Sequence, residues 1–195
     1  MAIPAGSIPF NRSAVLGREL HYVREAIESG EIGGGQGFST RCESLLQQQL
    51  GVAGVTLTGS CTQAVEMAGL LLRLTRDAEV IVPAFSFVST ANAFALRGAK
   101  IVFCDVRPDT LNLDERALPA LITPSTKAIV PVHYAGVGCE MDTILETAAR
   151  AGVAVIEDNA HGIFGRYRGL PLGTFGELAT LSFHETKNLS CGEGG

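Results

Sequence analysis

From Val55 onward the chain alternates short apolar runs with longer stretches of helical spacing. The runs at 55–58, 79–82, 100–104, 128–133, 153–157 and 178–183 are nearly continuous in apolar content. Strands of that kind are buried on both faces, as in a parallel sheet. Between them, residues 61–74, 86–96, 114–121 and 142–151 carry the spacing of helices. Strand and helix in alternation predict an α/β fold, an open and mostly parallel sheet with helices on both faces. Such sheets bind ligands in the loops beyond the carboxyl ends of their strands.

The chain before residue 55 reads differently. Residues 18–29 place Leu20, Val23 and Ile27 at helical spacing and stop at Gly30, and a second helix over 39–50 stops at Gly51. Between them, Gly33-Gly34-Gly35-Gln36-Gly37 has the composition of a phosphate cradle. No strand precedes it, so the dinucleotide fingerprint lacks its context and a mobile loop is the expectation. Residues 1–54 are thus a lead-in of helices and loop, and residues 55–195 form the α/β domain.

Composition narrows the function. With 195 residues and 46% hydrophobic content the chain can bury one core of ordinary size. A net charge of −5 and the lack of any basic stripe argue against nucleic acid as a partner. Apolar runs are too short for a membrane span. Residues 1–10 show neither a basic segment nor an apolar one of the secretory kind. Five cysteines, at 42, 61, 104, 139 and 191, are an odd number without CxxC spacing. Reduced thiols in the cytoplasm fit that pattern better than disulfides or zinc.

Four stretches carry candidate chemistry. Thr58-Gly59-Ser60-Cys61-Thr62-Gln63 follows the first run, with Ser60 and Gln63 spaced as a capping box. Free N–H groups at that helix start, with nearby hydroxyls, suit a phosphate, although capping boxes also open helices that bind nothing. Phe85 and Phe87 follow the second strand, placed either to stack on a flat ring or to fill the core. In Ile156-Glu157-Asp158-Asn159-Ala160-His161-Gly162 an apolar strand runs into two carboxylates and a histidine. Alternation on a strand sends Glu157 and Asp158 to opposite faces. A carboxylate there either pairs with a protonated pyridine nitrogen or is solvated at a strand end. A metal reading of Asp158 and His161 fails for want of further ligands. Last, Lys187 follows the final run inside SFHETKNLSCGEGG, residues 182–195. A lysine just past a buried strand is either a solvated loop residue or a desolvated amine poised to attack carbonyls. Phosphate loop, aromatic, aspartate and lysine together describe one site on one edge of the sheet.

These stretches resemble the pyridoxal-phosphate-dependent sugar aminotransferases of the aspartate aminotransferase (fold type I) architecture. SFHETKNLSCGEGG is similar to that family's lysine motif and IEDNAHG to its aspartate motif, and the likeness runs from Ile8 to Gly195. TGSCTQAVEMAGLLL, FVSTANAFALRGAKIVFCDVRPDT and IVPVHYAGVGCEMDTI resemble the branch that aminates TDP-4-keto-6-deoxy-D-glucose at C4. The resemblance implies pyridoxal 5'-phosphate as cofactor, with Lys187 as its Schiff-base partner and proton carrier. It implies Asp158 at the pyridinium nitrogen, His161 near the ring hydroxyl and Phe87 on the ring face. Thr62, the backbone at Cys61, and Ser182 would hold the phosphate. Related sugar dehydratases carry histidine at the position of Lys187. The implied reaction is a ping-pong transfer from L-glutamate to a TDP-4-keto-6-deoxy-hexose, giving TDP-4-amino-4,6-dideoxy-D-galactose, in a homodimer. Amination at C3, or a binding module without turnover, are the alternatives. Family members continue past GEGG into the rest of the large domain and a small C-terminal domain, so the sequence is expected to be an N-terminal portion.

Overall fold

The computed structural model describes residue 8 and residues 11–195; the reading of residues 1–10 as free of a secretory signal falls, Ile8 apart, outside the described residues. Two helices come first, α1 (Glu19–Ser29) and α2 (Gly37–Leu50). Gly30 and Gly51 end them in the left-handed region, where a Cβ would be strained. The glycine loop feeds straight into α2, which starts two residues earlier than its hydrophobic spacing suggests. Then follow α3 (Cys61–Leu71), β1 (Glu79–Pro83), α4 (Val88–Ala95), β2 (Lys100–Cys104), α5 (Leu118–Leu121), β3 (Thr126–Ile129), α6 (Met141–Ala151) and β4 (Ala154–Asp158). A short hairpin of β5 (Arg166–Tyr167) and β6 (Leu170–Pro171) precedes β7 (Leu178–Thr180).

The sheet has the order β2-β1-β3-β4-β7, and every neighbouring pair is parallel. The predicted α/β architecture is therefore present. All five residues of β1 are buried, as a central strand covered on both sides must be. Its side chains alternate between two cores. Val80 and Val82 pack with Ala128, Val130 and Ile156 against α3 and α4, where Phe94 is fully buried. Ile81 packs with Ile129 and Val155 against α5 and α6, around Leu118, Met141 and Ile144. The chain leaves β1 for β2 on one side and returns to β3 on the other. That reversal opens a crevice at the carboxyl ends of β1 and β3, where ligands of such sheets bind.

One expected strand is absent from the sheet. Residues 55–58 have the β-branched pattern of a strand, but no strand of the described residues pairs with them. Instead Leu57 N–H donates to the Glu43 carboxylate at 3.0 Å. Thr58 exchanges both backbone hydrogen bonds with Gly195, at 2.8 and 3.0 Å. A cavity of about 630 Å³ lies between this segment and the edge strand β7, lined among others by Leu46, Val55, Leu57, Met67, Leu178 and Phe183. Strand pattern needs a partner to become a ladder, and among the described residues the backbone of this segment pairs only with the backbone of Gly195. The helix expected over 114–121 divides into a 3-10 turn, Glu115–Ala117, and α5. The β5–β6 hairpin was not foreseen; Arg168 and Gly169 both have positive φ, the tight primed turn that matches strand twist.

Candidate active site

Strand β4 separates two carboxylates by parity. Val155 joins the α5/α6 core and Ile156 the α3/α4 core, so Glu157 follows the former and Asp158 the latter. Glu157 is fully buried and saturated. Its Oε2 accepts from His133 Nε2 and from Gly173 N–H, each at 2.8 Å. Its Oε1 accepts from Phe175 N–H at 2.7 Å and Gly176 N–H at 2.8 Å. His133 Nδ1 accepts Cys139 N–H at 3.2 Å, which places the ring proton on Nε2, facing the carboxylate. Burial pushes Glu157 upward, but His133 and the N–H groups of Gly176 and Gly173 outweigh it and hold the group below the usual carboxylate range.

Asp158 is buried yet far from saturated. Oδ2 accepts from Thr90 Oγ1 at 2.7 Å and Oδ1 from Ala160 N–H at 3.2 Å. A carboxylate offers about four acceptor positions, so roughly half remain for a ligand. The site's other groups surround it. Lys187 lies in a loop closed by Phe183 N–H to Gly194 O, Cys191 N–H to Phe183 O and Lys187 N–H to His184 O, at 2.9, 3.0 and 3.0 Å. Asn188 Nδ2 ties the loop to Ile163 O at 2.8 Å. From the other side, Asn11 Nδ2 and Ser13 Oγ both donate to Glu185 O, at 3.0 and 2.9 Å. The lead-in segment therefore straps the lysine loop two residues before Lys187. Burial lowers the Lys187 pKa, and Cys61 and Asp158 oppose that shift. At neutral pH only Asp158 does so, because burial, followed by Asp158, pushes the Cys61 thiol up to about 12 and keeps it uncharged.

His161 is held from behind. Its Nδ1 accepts Ala135 N–H at 3.2 Å, and Ala135 is itself in the left-handed region at φ 51°. The neutral ring thus carries its proton on Nε2. Burial, then Lys187, lower the His161 pKa, while Asp158 works against them. Tyr134 meets the imidazole edge-on at 5.2 Å, and Phe85 packs on Tyr134 at 4.6 Å. Phe87 precedes α4 and is 71% exposed, so its ring is free to cover a ligand.

The helix start has the free donors that an anion cradle needs. Ser60 caps α3 by accepting Gln63 N–H at 3.3 Å, and Gln63 Oε1 reaches back to Gly59 N–H at 2.9 Å. The box closes one residue earlier than expected, on Gly59 rather than Ser60. Cys61 and Thr62 N–H, in the first turn, have no intrahelical acceptor. Ser182, only 6% exposed, makes no side-chain hydrogen bond among the described residues. A Cβ on Gly195 would lie 2.4 Å from Cys61 N, so only glycine lets the 192–195 turn run so close to this cradle.

The charge of Asp158 thus acts on Cys61, His161 and Lys187 alike, while Thr62 stands in the first turn of α3 and Phe87 and Ser182 on neighbouring loops. Thr90, Ser86 and Tyr134 were missed from the sequence. Ser86 lies two residues before α4 and Thr90 in its first turn, and the entry of the chain into the helix brings their hydroxyls to 2.8 Å.

Comparison with known proteins agrees with the fold. The profile of the DegT/DnrJ/EryC1/StrS aminotransferase family matches residues 15–195. Among solved structures, Spr1654 of Streptococcus pneumoniae, known in apo-, PLP- and PMP-forms, superposes with a TM-score of 0.92 at 27% identity over 96% of this chain. The aminotransferase TlmJ of Streptoalloteichus hindustanus is 34% identical, with a TM-score of 0.90 over 96% of this chain and 52% of its own. Helicobacter pylori PseC, an aminotransferase of pseudoaminic acid biosynthesis, gives 28% and 0.87 over 95% of this chain and 50% of its own. The chain spans about half the length of the solved proteins it matches. It belongs to the DegT/DnrJ/EryC1/StrS aminotransferase family.

Proposed function

We propose that this family member uses pyridoxal 5'-phosphate and Lys187 to move an amino group from L-glutamate to C4 of a TDP-4-keto-6-deoxy-hexose, giving TDP-4-amino-4,6-dideoxy-D-galactose. The observation that carries the reading is the meeting of Lys187, its pKa lowered by burial, with the half-satisfied carboxylate of Asp158. The donor set suits the cofactor. An unpartnered Ser182 hydroxyl and the first-turn N–H groups of α3 match a phosphate, and Asp158 matches a cationic ring nitrogen. When bound, the cofactor supplies a carbonyl that captures amines and a ring that draws electrons away from them.

The protein's own groups do the rest. Asp158 holds a proton on the ring nitrogen by its negative charge. His161 Nε2–H is free to donate to the ring hydroxyl because Ala135 occupies Nδ1. Phe87 covers the ring face and excludes water. Lys187 Nζ, deprotonated more readily than an exposed lysine, would take the proton from the donor's α-carbon and hand it back during the transfer. A homodimer in the cytoplasm is the expected setting. Support for C4 as the aminated position comes from the long sequence likeness around residues 58–72, 87–110 and 129–144. The test is to incubate the protein with TDP-4-keto-6-deoxyglucose and L-glutamate and to analyse the product by mass spectrometry and NMR. An amine at C4 in the galacto configuration is expected; an amine at C3, or no amino sugar, contradicts the proposal.

A further inference from the structure

Asp158 does not stand alone on its face of β4. Thr90 is 1% exposed on α4, and its hydroxyl has a single proton. An ionised Asp158 can only accept, so that proton is committed to Oδ2 at 2.7 Å. Ser86 Oγ lies 2.8 Å from the same hydroxyl, and Thr90 has no proton left to give it. The direction of the chain is therefore fixed: Ser86 donates to Thr90, and Thr90 donates to Asp158. Both hydroxyls flank Phe87, the residue placed to cover the ring. A hydrogen bond to a charged acceptor is stronger than a neutral one, and each bond in such a chain strengthens the next.

We propose that Ser86 and Thr90 are positioning residues that aim the Asp158 carboxylate and set how fully the proton stays on the cofactor's ring nitrogen. The inference rests on the reading of Asp158 as partner of that nitrogen. Each donor to the carboxylate spreads its charge and makes it a weaker competitor for the shared proton. Removing the Thr90 hydroxyl should shift that proton toward the carboxylate by about tenfold in equilibrium terms. The ring then draws electrons less strongly, and the proton transfers at Lys187 slow.

The test is nitrogen-15 NMR of the holo-protein loaded with ring-labelled pyridoxal phosphate, beside its thermal stability. In the wild type the ring nitrogen should give a pyridinium signal. Thr90→Val should move that signal toward unprotonated pyridine, Ser86→Ala should move it less in the same direction, and Thr90→Ser should leave it at the wild-type position. A purely structural Thr90 would lower the melting temperature and leave the signal unmoved, which overturns the inference. A Thr90→Ser signal like that of Thr90→Val overturns it as well. Should Thr90→Val fail to fold, Ser86→Ala decides: a moved signal supports the relay and an unmoved one defeats it. An unprotonated ring in the wild type would instead contradict the role given to Asp158 itself.

Discussion

Glu157 and Asp158 are neighbours at the end of one strand, both buried, yet the first accepts four hydrogen bonds and the second two. The face toward α6 uses its carboxylate to fasten His133 and the turn at 173–176. The face toward α4 leaves its carboxylate with acceptor capacity to spare, in a cluster with Lys187, His161 and Cys61. A saturated buried charge is an internal fastener, whereas an undersaturated one calls for a partner from outside the chain. Local sequence chemistry is nearly the same for the two; their surroundings divide the roles.

Substitutions at the two positions should therefore fail in opposite ways. Asp158→Asn should keep its fold and still hold cofactor but lose turnover by on the order of 10³-fold or more. Steady-state kinetics beside thermal melting measures both; wild-type turnover would make Asp158 a structural residue like its neighbour. Glu157→Ala leaves four donors unmet in the interior and should cost about 3 kcal/mol of stability at neutral pH. Denaturant melts read this, and a loss below about 1 kcal/mol would show the turn at 173–176 to be held by other contacts.

Acid sharpens the same contrast. The folded pKa of Glu157 lies below its unfolded value, so the unfolded chain binds more protons between the two. The stability contributed by Glu157 is full above the unfolded pKa of about 4.5 and is lost as pH falls through the depressed folded value. Glu157→Gln should flatten that part of the stability curve. A parallel curve for the variant would exclude Glu157 as the source. A smaller effect links Asp158 to the lysine. Asp158 raises the Lys187 pKa against the dominant burial effect, so Asp158→Asn should move the pH midpoint of carbonyl capture further below 10.5. A midpoint that rises, or stays in place, would separate the two groups.

Part of this contrast was legible in the sequence. The IEDNAH pattern already sends Glu157 and Asp158 to opposite faces, because strand parity is local. What each meets there was not legible. Thr90 reaches Asp158 from 68 residues away through the packing of α4 on the sheet, and His133 reaches Glu157 from 24 through the pairing of neighbouring parallel strands. Ser60 and Gln63 announced a helix start, but the return bond to Gly59 depends on side-chain reach. Residues 55–58 misled for the opposite reason. Their β-branched pattern is local, whereas membership of a sheet depends on a neighbour the pattern does not contain.

The central claim is that Lys187 is the amine that takes up pyridoxal phosphate, and the chain offers a narrow field for testing it. Its lysines are Lys100, Lys127 and Lys187. Lys100 Nζ is paired with Glu79 at 2.7 Å and Lys127 Nζ lies 3.4 Å from Pro124 O, both away from Asp158. Incubation with pyridoxal phosphate, reduction with borohydride and peptide mapping by mass spectrometry locates the modified residue. The account predicts the pyridoxyl group on Lys187, and its loss in a Lys187→Ala protein that still melts as the wild type does. A label on Lys100 or Lys127 in the wild type, with Lys187 unmodified, would contradict it.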